Sequence, residues 1–387
     1  MATPDDIGDA DLRARCRTHA AAVASGRLIR LGLSPDAAMW FQALVGIAAT
    51  SQPERRVQSV HDLRGLAALA VLFYHVAASP YVAPPRAIAR VAELGQYGVT
   101  AFFVISGFVL PYSLRKSAYR VHDFGGFIAR RFVRVEPPYF ATIVAVLLLN
   151  LLIATIKHAP YRIDAAQVAL HIAYLAPLFD KPWLLSVFWT LCVEFQFYVL
   201  IGLLYPVLLS RPLLMTLGCA GAMILAMPGW FPAEQLPLGQ RENILLHLPV
   251  FMVGMVLFLQ REQLITPRRF WGCIALSLGA IALKGPVAAL GATVLALLVI
   301  LLVRRSNSVL AYFGDISYSL YLVHLLVILA VLPLFKTMPL GWIAMAAIAL
   351  VGSVAAATGL WLTVERPAIA LSKRLKQRAR ATQGASA

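Results

Sequence analysis

The chain has 387 residues, 60% of them hydrophobic and only 13% charged. Its mean hydropathy of +0.76 lies outside the usual range for a soluble domain of this length, so the class is membrane protein. A formal net charge of +16 does not describe a nucleic-acid surface, because the basic residues fall between long apolar segments without interleaved polar and aromatic recognition sequence.

Residues 1–57 begin acidic, turn basic at Arg13, Arg15 and Arg17, and hold one apolar patch at 37–50 that is too short to span a bilayer. The tract before the patch is long and mixed in charge, unlike a secretory signal. It reads as a cytoplasmic extension with an interfacial helix, or as sequence upstream of the true start. Ten runs then follow that can cross about 30 Å of hydrocarbon with some tilt. They lie near 63–82, 96–114, 138–156, 184–209, 212–228, 243–260, 270–284, 286–303, 312–335 and 341–363. Lys284, Gly285 and Pro286 supply the only turn between the seventh and eighth, and the stretch at 165–179 is short enough to predict a non-spanning helix. Residues 58–372 thus form a membrane domain, followed by a basic tail at 373–387.

Loop charge orients the spans. With the N-terminus inside, 26 of the 34 Lys and Arg residues fall on the inner side and the other 8 outside. The fold class is therefore an all-α integral membrane bundle of about ten transmembrane helices, both termini cytoplasmic. At 1.5 Å per residue, His75 lies about 18 Å from the inner end of the first span and Glu194 about 15 Å from the outer end of the fourth. Ser106 and His324 come out near the same midplane. Arg64 precedes His75 by eleven residues, which puts the two on nearly one helix face about 16 Å apart. Ionisable groups at such depth are expensive and point to a buried reaction site or a permeation pathway. Trp183, Trp230, Trp271 and Trp342 sit near span ends as interfacial anchors. Four cysteines, Cys16, Cys192, Cys219 and Cys273, form no close pair and imply neither a disulfide nor a metal framework, and His158, His171 and His247 show no ligand spacing.

Six segments appear in order: RGLAALAVLFYH (64–75), GVTAFFVISGFVL (98–110), FIARRFVRVEPPYF (127–140), WTLCVEFQFY (189–198), FGDISYSLYLVH (313–324) and ERP (365–367). They resemble the successive motifs of the acyltransferase-3 family over about residues 58–372. The resemblance implies an integral membrane enzyme of the cytoplasmic membrane that moves acyl groups, commonly acetyl from acetyl-CoA, onto hydroxyls of sugars in surface polysaccharides, lipo-oligosaccharides or macrolides. The family's Arg and His signature falls on Arg64 and His75, its basic motif on Arg130, Arg131 and Arg134, and its acidic position on Glu194. Phe195 stands where many relatives carry a second acid, so no carboxylate pair is available there. Some relatives continue into an extracellular esterase-like domain, whereas this chain stops after its basic tail.

Acyl transfer from a thioester to an alcohol needs a base for the hydroxyl proton, stabilisation of an oxyanion and anchorage for an anionic donor. His75 suits the base, with Glu194 fixing its tautomer; direct attack by the histidine on the thioester is the other route, and plain hydrogen bonding between helices is the structural alternative. Cys192 lies in an apolar run without a cation to lower its pKa and makes a poor nucleophile. Arg64, Arg130, Arg131 and Arg134 are placed to hold the phosphates of acyl-CoA, or, on the positive-inside rule alone, anionic lipid. Ser106 and Gly107 open space or donate to the oxyanion, unless they serve helix packing. Tyr318, Tyr321 and His324 recur at three-residue spacing and line an acceptor cavity, or glue helices together. A proton-coupled exporter of sugar or organic acid would use the same His and Glu as a relay, but neither a second motif copy nor paired broken helices accompany them.

Overall fold

The structure, a computed structural model, describes residues 53–179, 181–226, 242–303 and 308–385. The apolar patch at 37–50 and Trp230 lie outside the described residues. All regular elements among those described are helical. In chain order they are α1 (Pro53–Ala78), α2 (Arg86–Glu93), α3 (Gly98–Lys116), α4 (Phe124–Ile156), α5 (Ala165–Ile172), α6 (Trp189–Ser210) and α7 (Pro212–Leu225). There follow α8 (Leu248–Arg261), α9 (Pro267–Lys284), α10 (Val287–Leu302), α11 (Ser308–Val331), α12 (Trp342–Leu360) and α13 (Arg366–Ala385).

Each of the ten apolar runs corresponds to a helix, yet the helices are unequal. Six continuous helical stretches are long and apolar enough to cross a bilayer: Gln58–Ala78, Arg86–Lys116, Val121–Ile156, Ser186–Ser210, Ser308–Phe335 and Trp342–Leu375. The other four are shorter or less apolar. Helices α7 and α8 have 14 residues each, about 21 Å of rise against a core of about 30 Å. Every residue of α8 from Leu248 to Leu259 is buried, so protein surrounds it where lipid would surround a lone span. As the sequence suggests, Gly285 and Pro286 separate α9 from α10, and 165–179 holds only the eight-residue α5 and a short 3₁₀ turn at Ala176–Phe179.

The outer surface is apolar where a bilayer requires it. Along α4, Val144, Leu148, Leu152 and Ile156 are all more than half exposed at four-residue spacing, a stripe that only lipid would cover cheaply. The interior core is built from α1, α4, α6, α11 and α12 around Leu72, Tyr139, Phe188, Ile316 and Leu320.

Two glycine contacts set the helix positions. A Cβ on Gly107 of α3 would collide with the carbonyl of Phe251 on α8, and one on Gly254 with that of Val104, so these backbones touch directly. Gly65 of α1 meets Leu310 and Gly314 of α11 in the same way. Ten residues further along each helix, His75 meets His324. Contacts that advance equally along both chains require α1 and α11 to run parallel.

Candidate active site

Arg64, Arg131 and Arg134 converge from α1 and α4 on a cavity of about 110 Å³ whose other walls include Glu194 of α6 and Glu365. Three guanidinium groups thus face two carboxylates. Arg64 is attracted by Glu365 and Glu194 and repelled by Arg134. Glu194 Oε1 accepts from Ser106 Oγ at 3.1 Å and from the Tyr198 hydroxyl at 2.8 Å, which fixes the carboxylate against the cavity wall.

Glu365 is held differently. Its Oε2 accepts from Ser319 Oγ at 2.6 Å and from the Ser319 backbone N–H at 3.2 Å. It closes a π-helical turn, Trp361–Glu365, immediately before Arg366 and Pro367. Pro367 has no N–H to give to the carbonyl four residues back, and the helix widens for one turn where that donor is missing. The turn delivers a buried carboxylate opposite Arg64.

A second cavity, of about 170 Å³, shares Arg131 and Arg134 with the first and adds Arg130, Lys373, Ser113 and Ser117. It is rich in donors, and no carboxylate lines it among the described residues. The Ser372 hydroxyl ties α13 to this end of α4 by donating to the Arg130 carbonyl at 2.9 Å.

The four polar groups expected at one depth meet as two pairs. Ser106 bonds Glu194, while His75 bonds His324: His75 Nδ1 lies 3.2 Å from His324 Nε2 and 3.0 Å from the Val71 carbonyl. The expected pairing of Glu194 with His75 is therefore replaced, because Glu194 is engaged by Ser106 and Tyr198 and the His75 Nδ1 by a carbonyl and a second imidazole. Neither histidine lines the central cavity, but the Tyr321 ring does, and it packs 5.9 Å from His324. Tyr318 also lines it, with its hydroxyl donating to the Val135 carbonyl at 2.9 Å. The Tyr321 hydroxyl donates to Val187 O at 3.1 Å and accepts from Thr190 at 2.7 Å. Both phenol tips are committed to neighbouring backbone and leave their rings to shape the wall. Gly107 serves packing, and the Ser106 proton is spent on Glu194.

Sequence reasoning quoted the ERP motif without assigning Glu365 a place in the site, and it gave no role to Glu136. The latter is buried in α4, accepting from the Tyr174 hydroxyl at 2.6 Å through Oε1. One signal was available: three arginines gathered at the inner ends of two spans need more than one carboxylate to balance them.

Residues 59–362 match the family model described as "Acyltransferase domain", Acyl_transf_3. The chain belongs to this family. It is an acyltransferase. It is 25% identical over 313 residues to Acyltransferase MdmB of Streptomyces mycarofaciens, covering 70% of this chain and 79% of that one. A protein of Acidianus two-tailed virus, ORF330, which carries a provisional acetyltransferase name, is 28% identical over 159 residues, 41% of this chain and 44% of its own. No solved structure matches. Family membership removes the exporter reading of the buried His and Glu.

Proposed function

We propose that this acyltransferase takes an acyl group, acetyl from acetyl-CoA, and passes it to a hydroxyl of a sugar-containing acceptor: a surface polysaccharide, a glycolipid or a glycosylated metabolite. The observation that carries the donor assignment is the pair of cavities joined at Arg131 and Arg134. Coenzyme A is polyanionic at one end and carries its thioester at the other, so it needs basic groups far from the reacting carbon. Arg130 and Lys373 with the shared arginines offer charge-assisted contacts to phosphate. The central cavity is too small for a whole cofactor but accommodates the pantetheine arm, whose thioester end must pass the Tyr321 ring to reach His75.

The excess of positive charge in the central wall supports the same reading, since a buried unpaired guanidinium is costly unless its occupant is anionic. In the transfer step the acceptor hydroxyl gives its proton to His75 as its oxygen attacks the thioester carbon. The tetrahedral oxyanion collapses with loss of the CoA thiolate, which takes that proton back from the imidazole. The products are the ester and free CoA. Arg64, on the α1 face that leads from the central cavity toward His75, donates to the pantetheine amides of the arm.

Thermal unfolding of the purified protein with acetyl-CoA tests the donor. Binding to the native state alone raises the midpoint, by an amount that grows with ligand concentration, and Arg130→Ala weakens the shift. An unchanged midpoint at saturating acetyl-CoA removes the assignment.

A further inference from the structure

We propose that His324 is a positioning residue for His75: the two imidazoles form a directed pair in which His324, beside the Val71 carbonyl, accepts the Nδ1–H of His75, holds its ring and makes the bare Nε2 a stronger base. This rests on the reading of His75 as the group that takes the acceptor proton. The direction follows from hydrogen-bond chemistry. His324 Nδ1 lies 3.0 Å from the carbonyl of Leu320 and His75 Nδ1 3.0 Å from that of Val71, in each case four residues back on its own helix. A carbonyl oxygen only accepts, so both Nδ1 atoms carry hydrogen. In neutral His324 the other nitrogen, Nε2, is then a lone pair, and it faces His75 Nδ1–H at 3.2 Å.

The proton on His75 is thus shared between Val71 O and His324, and Nε2 of His75 has no hydrogen. When it accepts the proton of an alcohol, the charge that develops spreads over a ring whose Nδ1–H already points at two acceptors. His324 does the work that a carboxylate does in a Ser-His-Asp triad, without bringing a fixed negative charge into the membrane interior. The pair is built into the fold. Parallel α1 and α11 are locked at Gly65 and Gly314, and the histidines meet ten residues further along each. His171 makes the same bond from Nδ1 to the carbonyl four residues back, at 2.8 Å, but its Nε2 is occupied by the Leu184 amide, which donates at 3.0 Å. Of these three histidines sharing one tautomer, His75 keeps its second nitrogen free of the bonds the other two make.

The test uses the full-length protein in lipid nanodiscs with ¹⁵N-labelled histidine. Ring nitrogen shifts, assigned through His75→Ala and His324→Gln, report the tautomers, and a coupling across the Nδ1–H···Nε2 bond reports the pair directly. Both rings are expected as the Nδ1–H form with that coupling present. Reactivity is read with diethyl pyrocarbonate, which modifies a bare imidazole nitrogen, by mass spectrometry of the His75 peptide. His324→Leu is expected to slow modification of His75 about tenfold, and His324→Gln, whose side-chain oxygen can still accept, to restore most of it. An Nε2–H tautomer at His75, or an unchanged modification rate in folded His324→Leu, overturns the proposal; should the leucine variant not fold, the native spectrum and the glutamine variant still decide. None of these readouts needs a donor, so a failure of acetyl-CoA binding falsifies the donor assignment separately.

Discussion

On the proposed reading, the arginines and the histidine pair divide the labour of the site. Arg64, Arg131 and Arg134 share the central wall with two carboxylates that are already spoken for, Glu194 by Ser106 and Tyr198, and Glu365 by Ser319. The guanidinium groups therefore retain donors for a ligand. A charge-assisted hydrogen bond contributes about 1.5–3 kcal/mol, so Arg64→Ala is expected to weaken acetyl-CoA binding roughly ten- to a hundredfold in titration calorimetry. His75→Ala is expected to leave that binding within about threefold and abolish the acylated product, since a positioned base contributes to the transition state about 10²–10⁴-fold. Equal loss of donor affinity in the two variants would contradict the division. At this scale the sequence was legible where an ionisable residue stood alone in an apolar run, as His75 and Glu194 do. It was not legible in who bonds to whom. The turn of one helix against another is set by backbone contacts such as Gly65 with Gly314; the spacing of α6 puts Tyr198 one turn from Glu194, but nothing in it says that Ser106 of α3 reaches Glu194 before His75 does.

Helices find their places here by two means, close glycine crossings and short loop elements pinned by polar bonds. Gly107 and Gly254 let α3 and α8 approach until backbone touches backbone, one residue from Ser106. Gly107→Ala forces them apart and is expected to cost about 1–3 kcal/mol as overpacking, lowering the unfolding temperature in detergent and loosening acetyl-CoA binding together. Gly218→Ala on α7 has open space around its Cβ and is expected to be neutral or to stabilise by up to about 1 kcal/mol. Outside the spans, α5 is anchored by Asp164, which caps it by accepting from the Gln167 amide at 3.0 Å and takes Lys181 Nζ at 2.7 Å; these bonds hold its carboxyl below the usual range. Its other end is anchored by His171, whose bare Nε2 accepts the Leu184 amide. Burial pushes the His171 imidazole below its ordinary value, so this anchor is intact above the unfolded-state value near 6.5 and is lost as pH falls through the folded one. A protonated Nε2 would oppose the Leu184 N–H donor to donor. Protection of the Leu184 amide, its exchange taken relative to the intrinsic rate at each pH, is accordingly expected to fall on acidification in the native protein, and that fall to vanish in His171→Gln. Apolar length told the sequence reader where helices lie, and that much holds at all ten runs. It could not distinguish a lipid-facing span from α8, which is equally apolar because protein encloses it on every side.

Across the whole molecule, the proposed donor path runs from a basic mouth to a smaller, charge-lined interior, and the two cavities that share Arg131 and Arg134 offer both. With acyl-CoA as the proposed donor, the mouth, with Arg130 and Lys373, is expected to open where CoA is made, the side that the excess of Lys and Arg assigns to the cytoplasm. Orientation and donor entry are therefore one question and can be answered in one experiment. In a Cys16→Ser background, where Cys192, Cys219 and Cys273 are buried, Ser117→Cys in the mouth reports one face and His158→Cys, in the turn after α4, reports the other. A membrane-impermeant maleimide is expected to label Ser117→Cys in inverted vesicles and His158→Cys in intact cells, each at least tenfold faster than in the opposite orientation. Acetyl-CoA added to inverted vesicles is expected to slow labelling of Ser117→Cys and leave His158→Cys unaffected, because phosphates held by Arg130 and Lys373 would cover the first and not the second. Labelling of Ser117→Cys from the outside would place the basic mouth away from the CoA pool, and the donor would then have to be one made or delivered on that side of the membrane.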